Sequence, residues 1–372
     1  MKRFIPVNKP LLNGNEQKYL NQCIKSGWIS SEGPFVKKFE SKFSKKMGRK
    51  YGIAVTNGTA ALDAAIEAIG IKKGDEVILP TFTIISCVLQ IIRNGGIPVL
   101  VDADPHTWNM NINQVEKKIT SFTKAIMVVH IYGLPVDMDP IEKICKKYKL
   151  KLIEDSAELI GQKYNKKPCG SFGDISTVSF YPNKHVTTGE GGMILTNNYR
   201  LAEKCRKLRN LCFQEKKRFI HKELGWNLRM TNIQAALGLA QLERLDKFIK
   251  KKREIGKLYN NLLSDIPNLQ LPVKKTKYAD NIYWVYGVII KNKAKLDGKR
   301  MIKLLSKYGI SCRPFFYPMH KQPILRKLGL FKKEKHPVSE KISKYGFYLP
   351  SGLGLKSYQI RYISDILHKI KF

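Results

Sequence analysis

One lysine, Lys184, stands in a segment that could position it for chemistry. Residues 174–181 are rich in β-branched and aromatic side chains, which is typical of a strand, and a Pro-Asn pair ends that strand just before the lysine. A Gly-Glu-Gly-Gly run then leads into a second apolar strand, residues 193–196. A partly desolvated lysine amine can act as a nucleophile. Taken alone, however, a lysine in so lysine-rich a chain is more often a solvated surface residue.

Two further groups with chemical potential follow other predicted strands. The turn Asn57-Gly58-Thr59 comes directly after the first strand, where backbone N–H groups at a helix N-terminus bind anions. The same turn also fits an ordinary helix cap, with Asn57 or Thr59 as the capping residue. Asp155 follows the strand at 151–153, a place where a lone aspartate is more often a cap than a catalytic group.

The order of the predicted elements brings these residues towards one another. Short apolar runs alternate with amphipathic segments between about residues 50 and 245, which predicts an α/β fold with a mostly parallel seven-stranded sheet covered on both faces. Ligands bind at the carboxyl ends of the strands in such sheets. The predicted strands are 53–55, 76–79, 98–101, 125–130 and 151–153 with the two that flank Lys184, and the predicted helices are 60–69, 84–93 and 138–148.

The last third of the chain has a different pattern. A polar loop at 225–232 leads into a predicted long helix, 233–250, and beyond it α and β patterns are mixed. We therefore predict a large domain at 1–250, which includes an N-terminal arm, and a smaller α+β domain at 251–372. Its predicted elements are a strand at 283–290, a helix at 299–307 and an aromatic loop at 313–320.

The charge balance of the chain is extreme. The 372 residues contain 67 Lys+Arg against 30 Asp+Glu, a formal net charge of +37. A basic surface can bind nucleic acid. The basic runs are short, as at 250–253, and none alternates with aromatic residues, so we expect scattered solvated lysines and no nucleic-acid partner. A phosphorylated substrate would also be attracted by such a field.

The cysteines and the apolar runs bear on the cellular environment. Seven cysteines are spread singly with no CxxC pair, which indicates neither a disulfide framework nor a metal site. Residues 1–8 lack the apolar core of a secretory signal. No apolar run approaches the roughly 20 residues that span a bilayer. We expect a cytoplasmic protein that is not bound to a membrane.

Together, an anion-binding turn, an aspartate and a lysine at the ends of strands are the parts that pyridoxal phosphate chemistry needs. The lysine holds the aldehyde as a Schiff base and moves a proton. The carboxylate favours the protonated ring nitrogen electrostatically. Amides and hydroxyls at a helix N-terminus hold the phosphate.

At these residues the chain resembles the DegT/DnrJ/EryC1/StrS sugar aminotransferases, which have the fold-type I architecture of aspartate aminotransferase. The resemblance extends over nearly the whole chain, and its specificity comes from several motifs that occur in the same order. These motifs lie at residues 26–33, 55–62, 153–158, 170–176, 184–192, 227–232 and 313–320.

The resemblance implies a role for each matching residue that would hold the cofactor, pyridoxal 5'-phosphate. Lys184 would carry the cofactor and act as the acid and base of the proton shift, which passes through the pyridoxamine form. Asp155 would pair with the ring nitrogen. Gly58 and Thr59 would bind the phosphate, helped by Ser179.

Other matching residues imply a site shared between two subunits. Glu158 would lie near the ring hydroxyl. Asn227 would reach the phosphate of the neighbouring subunit's cofactor, which implies a homodimer with active sites across its interface. Arg229, in the same loop, would contact a substrate carboxylate or phosphate.

The resemblance also implies a sugar-nucleotide pocket, with one departure from the family pattern. Trp28, Tyr317 and His320 would line that pocket. The family usually places an aromatic residue over the cofactor ring, at the position that aligns with Ile84. Phe82 lies two residues earlier, and the sequence leaves open which of the two packs on the ring.

The function implied is transfer of an amino group from L-glutamate to C4 of a nucleotide-linked 4-keto-6-deoxyhexose. Within the family the resemblance is greatest to members that convert GDP-4-keto-6-deoxymannose to GDP-perosamine. The alternatives are a UDP- or dTDP-linked viosamine product and amination at C3. Dehydratases of the same fold have histidine in place of the lysine, so Lys184 disfavours that activity. A non-catalytic binding or regulatory protein is disfavoured because the lysine, aspartate and phosphate turn are all present.

Overall fold

The computed structural model describes residues 4–214, 216–291 and 296–370. Strands and helices alternate through most of this part of the chain. The strands are β1 Tyr51–Val55, β2 Glu76–Pro80, β3 Ile97–Val101, β4 Thr123–Val129, β5 Lys151–Asp155, β6 Lys163–Tyr164, β7 Lys167–Pro168, β8 Ile175–Ser179, β9 Gly192–Thr196, β10 Leu269–Gln270, β11 Tyr286–Ile290, β12 Arg313–Pro314 and β13 Gly346–Leu349. The helices are α1 Glu16–Ser26, α2 Pro34–Lys46, α3 Gly58–Ile69, α4 Ile85–Arg93, α5 Ile112–Val115, α6 Met138–Tyr148, α7 Tyr199–Arg209, α8 Asn232–Leu242, α9 Leu245–Leu263, α10 Gly298–Lys307, α11 Pro323–Lys327, α12 Pro337–Tyr345 and α13 Ser357–Lys369, with short 3-10 turns at Glu116–Lys118 and Met319–Lys321.

Seven strands form the large sheet, in the order β1-β9-β8-β5-β4-β2-β3. β9 runs antiparallel to both of its neighbours, β1 and β8, and the other pairings are parallel. This confirms the predicted α/β fold class, and each predicted strand agrees with the observed one to within two residues at either end. The carboxyl ends of the parallel strands lie along one edge of the sheet, where ligand sites of this architecture form.

The sheet is buried on both faces, as its continuous apolar strands predict. Alternation along β5 directs Ile153 into a core shared with α3 and α4, and Leu152 into a second core shared with α2 and α8. Asp155 is two residues beyond Ile153 and therefore lies on the α3 and α4 side. That placement turns the aspartate towards the anion-binding turn at the start of α3.

A smaller antiparallel sheet, in the order β10-β11-β13-β12, lies in the C-terminal part of the chain. It packs through a third core to which α9, α10 and α13 contribute Tyr259, Met301 and Ile363. The predicted strand at 283–290 begins later, at Tyr286, and the predicted helix at 299–307 is α10.

The predicted single helix at 233–250 is wrong. The chain leaves the helical conformation at Arg244 (φ −112°, ψ 6°), which separates α8 from α9. The Glu243 carboxylate accepts hydrogen bonds from Asn15 and Tyr19, each at 2.8 Å, and these contacts from the N-terminal segment fix the break. α9 then continues to Leu263, across residue 250, so the division into domains at that residue stays a prediction.

Two features noted in the sequence have a structural counterpart. All seven cysteines are unpaired and buried. Within the described ranges, no helix has both the length and the apolar character needed to cross a membrane.

Candidate active site

Lys184 lies in a tight turn between β8 and β9. Its backbone N–H donates to the Tyr181 carbonyl (2.9 Å), and the turn is closed by bonds from Phe180 to Gly191 and from Thr188 to Phe180. The side chain is 10% exposed and forms part of the wall of a cavity of about 560 Å³. A cavity of this volume is typical of small-molecule sites. Lys184 is therefore not the solvated surface residue that it would be taken for in isolation.

Six predicted residues, from three segments of the chain, line this one cavity. They lie at or just after the carboxyl ends of β1, β5 and β8, which meet at the same edge of the sheet. They are Gly58, Thr59, Asp155, Glu158, Ser179 and Lys184.

The turn at the start of α3 is a helix cap, and it also has the free N–H groups that the predicted anion cradle needs. The Asn57 side chain accepts from the Ala60 N–H (2.8 Å), so the capping interpretation is correct for Asn57. The N–H groups at the first positions of the helix have no partner within the helix itself. A Cβ on Gly58 would lie 2.8 Å from the Ser179 Cβ, so a larger residue would displace Ser179. The Thr59 hydroxyl is 2.9 Å from that of Ser86.

Asp155 presents a buried carboxylate to the cavity. One oxygen accepts from the Ala157 N–H (3.0 Å) and the other from the Cys87 thiol (3.4 Å). Burial raises the pKa of Asp155, while the positive charge of Lys184 opposes that shift. A carboxylate in such surroundings is stabilised in its charged form by a nearby cation, such as a protonated ring nitrogen.

Lys184 is held between a carboxylate and an aromatic ring. Its Nζ is 4.0 Å from Glu158 Oε1 and 3.7 Å from the centre of the Trp284 ring. Burial lowers the pKa of Lys184 and raises the pKa of Glu158 to about 8, with each charge partly offsetting the shift of the other. The second Glu158 oxygen accepts from the Tyr132 N–H (2.7 Å). The amine is therefore easier to deprotonate than an ordinary lysine, which suits a nucleophile and a proton carrier.

Trp284 is a site residue that the sequence did not identify. Its indole N–H donates to the Asn183 carbonyl (2.8 Å), next to the lysine, and its own carbonyl accepts from Lys252 (2.6 Å). In the sequence it stands inside an apolar run that predicts a strand, where a tryptophan signals core packing. No local pattern separates a tryptophan that faces a cavity from one that fills a core.

The structure shows which of Ile84 and Phe82 can contact a cofactor ring in the cavity. Ile84 lines the cavity and is 47% exposed. Phe82 is buried and packs edge-on against Tyr132 and Phe316, with ring centres 6.0 and 5.8 Å away. Ile84 is thus the side chain that can contact a cofactor ring, and Phe82 supports the wall from behind.

Four predicted residues with partly or largely exposed side chains lie outside the wall of this cavity, as far as the described residues define it. Asn227 is exposed and its backbone pairs with Asn210, whose side chain accepts from Arg229 (2.6 Å). Trp28 and Tyr317 are about half exposed, at 50% and 53%. Their roles stay predictions, and they require either a second subunit or a bound substrate.

His320 requires a correction. It was predicted to line the sugar-nucleotide pocket, but its side chain is fully buried. One ring nitrogen is 2.9 Å from the Thr81 hydroxyl and the other is 3.0 Å from Glu340. Because both nitrogens are engaged within the fold, the residue supports the segment after β2 and does not face the pocket.

The residues around the cavity fit pyridoxal phosphate. An anion cradle, a buried carboxylate and a lysine of lowered pKa occupy different parts of one wall. A glycine at the cradle leaves room that a Cβ would fill. This donor set matches the three polar parts of the cofactor: phosphate, ring nitrogen and aldehyde.

Comparison with known proteins agrees with this geometry. A model of the DegT/DnrJ/EryC1/StrS aminotransferase family matches residues 10–368. The chain is 41% identical over 367 residues to the GDP-perosamine synthase of Escherichia coli O157:H7, covering 99% of this chain and 98% of the relative.

Solved structures show the same fold. The Helicobacter pylori aminotransferase PseC superposes with a TM-score of 0.93 at 24% identity, covering 99% of both chains. The E. coli GDP-4-keto-6-deoxy-D-mannose-3-dehydratase, solved with bound hydrated PLP, superposes with a TM-score of 0.89 at 25% identity, covering 98% of this chain and 100% of that one. The chain therefore belongs to the DegT/DnrJ/EryC1/StrS aminotransferase family, and its cofactor is pyridoxal phosphate.

Proposed function

We propose that the protein transfers the amino group of L-glutamate to C4 of GDP-4-keto-6-deoxymannose, giving GDP-perosamine. The observation that supports the reaction class is that Lys184 is largely buried beside Glu158, in a cavity wall that also contains Gly58 and Thr59 at the start of α3. The choice of sugar and nucleotide is supported by the 41% identity, over nearly the full length of both chains, to a GDP-perosamine synthase.

Different residues of the cavity would bind different parts of the cofactor. When bound, pyridoxal phosphate supplies an aldehyde that accepts an amino group and a ring that draws electrons from the reacting carbon. Gly58 and Thr59 would hold the phosphate with backbone amides and a hydroxyl, with Ser179 against them. Asp155 would keep a proton on the ring nitrogen, because a buried carboxylate is stabilised by a cation at contact distance.

Lys184 would move protons at the reacting carbon. A general acid or base works best when its pKa lies near the working pH, and burial shifts Lys184 in that direction. Glu158, whose pKa burial raises to about 8, lies 4.0 Å from the amine, where its negative charge would favour the protonated lysine. Trp284 and Ile84 add apolar surface to the wall, which excludes water from the lysine.

We infer that the active enzyme is a homodimer with sites completed across the interface. Asn227 is exposed and outside the cavity wall of its own subunit, beside a segment with large exposed apolar side chains: Phe219 80%, Ile220 57%, Leu224 91% and Trp226 37%. Several large exposed apolar side chains within one short segment are typical of a protein interface. The loop that contains Trp28 lies beside the start of α8, shortly after Asn227 in the chain. The Trp28 carbonyl accepts a hydrogen bond from the Asn232 side chain there (2.6 Å).

The function is tested with a panel of GDP-, UDP- and dTDP-linked 4-keto-6-deoxyhexoses and L-glutamate labelled with heavy nitrogen. We expect one labelled amino group, at C4 of the GDP-linked sugar, as identified by mass spectrometry and NMR. A preference for a UDP- or dTDP-linked sugar, or labelling at C3, would overturn the assigned substrate. Loss of a hydroxyl without gain of nitrogen would identify a dehydratase.

The dimer is tested separately, by sedimentation of the holoenzyme and by an Asn227→Ala variant. We expect a dimeric wild type and a variant that loses pyridoxal phosphate more readily on dialysis. A monomeric protein with full activity would contradict the shared site.

A further inference from the structure

A second cavity, of about 290 Å³, adjoins the first. Tyr181, Asn183 and Trp284 line both. Asn183 directly precedes Lys184, and the Trp284 ring contacts the lysine amine. The second cavity therefore begins beside the reacting group. Its wall contains Arg313 and Tyr348 and no acidic side chain among the described residues.

Arg313 and Tyr348 form a matched pair on the small sheet. They face each other directly across β12 and β13, and such cross-strand partners direct their side chains to the same face. In the described ranges, the Arg313 guanidinium forms no ion pair and no hydrogen bond, and the Tyr348 hydroxyl forms no hydrogen bond. Both polar groups are thus available to a ligand that enters the cavity.

Among the charged side chains that line the two cavities, one can pair with a negatively charged ligand group near Lys184. Their acidic groups are Asp155, Glu158 and Glu190, all in the first cavity. Their cations, among the residues described, are Lys184 and Arg313. Since Lys184 is the reacting amine, Arg313 is the cation that remains to balance a negatively charged substrate group.

The chemistry of the amino donor requires such a cation. In an α-amino acid the carboxylate is attached to the carbon that carries the amino group, so a donor whose nitrogen reacts beside Lys184 places its carboxylate close by. An unpaired carboxylate in a partly dry site is destabilised. A planar guanidinium binds a carboxylate with two parallel hydrogen bonds, and a phenol can add a third.

We propose that Arg313 and Tyr348 bind the α-carboxylate of the amino donor. This inference rests on the proposed transamination and adds a recognition site for the first substrate. Arg229, the other arginine predicted to contact a substrate carboxylate or phosphate, donates to Asn210 and lies outside the cavity of its own subunit. The other anion that could reach Arg313 is the diphosphate of the sugar nucleotide, and the experiment separates the two.

The test uses Arg313→Met, Arg313→Lys and Tyr348→Phe in the holoenzyme, with Arg361→Met on α13 as the matched control, because Arg361 is an exposed arginine away from both cavities. A charge-assisted hydrogen bond contributes about 1.5–3 kcal/mol, so KM for L-glutamate should rise roughly 10- to 100-fold in Arg313→Met. We expect a smaller rise in Tyr348→Phe, partial recovery in Arg313→Lys, and an unchanged KM for the sugar nucleotide.

A second readout does not depend on turnover. Glutarate keeps the carboxylates of the donor and lacks its amine, so its binding can be followed by calorimetry. We expect glutarate to bind to wild type and to Arg361→Met, and to bind at least about tenfold more weakly to Arg313→Met.

The outcomes distinguish this inference from the proposed function. If wild type changes its cofactor absorbance with L-glutamate and Arg313→Met responds at the same glutamate concentrations, the carboxylate site is wrong and transamination stands. If Arg313→Met raises KM for the sugar nucleotide alone, the arginine binds diphosphate and the inference is overturned. If wild type itself gives no response to L-glutamate, the proposed function fails.

Discussion

Two largely buried lysines contact Trp284, one at its ring and the other at its backbone carbonyl, and their surroundings differ. Lys184 places its amine 3.7 Å from the centre of the indole ring, faces Glu158 and opens to the cavity. Lys252, on α9, donates to the carbonyls of Trp284 and Ser351, each at 2.6 Å. Burial lowers the pKa of both, that of Lys252 to about 7. Burial and a lowered pKa are therefore not sufficient to mark a reactive lysine.

What distinguishes the two is their surroundings. Lys184 is bordered by two carboxylates and by space for a ligand, so its proton can be exchanged with a substrate. Lys252 has carbonyl partners and forms no ion pair among the described residues, so it links α9 to the segment that carries the tryptophan. The first arrangement fits chemistry and the second fits support of the site.

The largest expected effect separates the two lysines directly. Lys184→Ala removes the group that we propose moves the proton, and such groups contribute about 10²- to 10⁴-fold, so we expect turnover to fall by about that factor. Lys250→Ala, an exposed lysine on α9, is the control and should keep wild-type turnover. Rates are measured with L-glutamate and the keto sugar. A Lys184→Ala enzyme with substantial turnover would contradict the role of this lysine.

A somewhat smaller loss of turnover is expected when the negative charge of Asp155 is removed. Asp155→Asn keeps the shape of the side chain but removes the charge that favours a protonated ring nitrogen, and we expect turnover to fall roughly 10²- to 10³-fold. The absorbance of the bound cofactor should also shift. Asp246→Asn is the control, because Asp246 lies on the surface in an ion pair with Lys46. Equal rates in both variants would exclude Asp155 as the ring partner.

Trp284 connects the two lysines, and its replacement tests whether it positions the reactive one. A cation–π contact contributes about 0.5–2 kcal/mol, so Trp284→Leu should lower turnover by roughly 3- to 30-fold. Trp284→Phe keeps a ring but loses the hydrogen bond to Asn183, and we expect an intermediate rate. If Trp284→Leu matched wild type in rate and in its pH profile, the tryptophan would serve only to pack the wall.

The last expected effect concerns the stability of the fold, not turnover, and it depends on Lys252. Its folded pKa of about 7 lies below the ordinary value, so above pH 7 the native state binds fewer protons than the unfolded chain. The free energy of unfolding of wild type should therefore rise, relative to that of Lys252→Met, as the pH increases from about 7 to 9, by at most about 1.4 kcal/mol per pH unit. Urea unfolding at several pH values measures this difference.

The control for this experiment is Lys250→Met, an exposed lysine two residues away on the same helix. Its stability should follow that of wild type at every pH. If the curves of wild type and Lys252→Met stayed parallel from pH 7 to 9, the lowered pKa of Lys252 would be incorrect.

Local patterns predicted most of the fold and the cavity-facing part of the site. Strand periodicity predicted all seven strands of the large sheet. Because parallel strands end at a common edge, the same pattern also predicted that Gly58, Asp155 and Lys184 lie close together, and they line one cavity. These features depend on short segments and on the topology that follows from them. Features of this kind can be predicted from a single sequence.

The rest depends on contacts between distant segments. The break between α8 and α9 is fixed by Asn15 and Tyr19, more than 220 positions from Glu243. His320 is buried because Thr81 and Glu340 occupy its two nitrogens. The contact of Trp284 with Lys184 joins segments about 100 positions apart in the chain. No periodicity in the sequence signals such pairings.

The central claim is that Lys184, among all the lysines of the chain, holds the cofactor. Borohydride reduction of the holoenzyme, followed by digestion and mass spectrometry of the peptides, fixes the cofactor to the amine that carries it. We predict that the cofactor-derived mass is found on the peptide that contains Lys184. Attachment to Lys252 or to any other lysine, or a holoenzyme in which no lysine is labelled, would contradict the account.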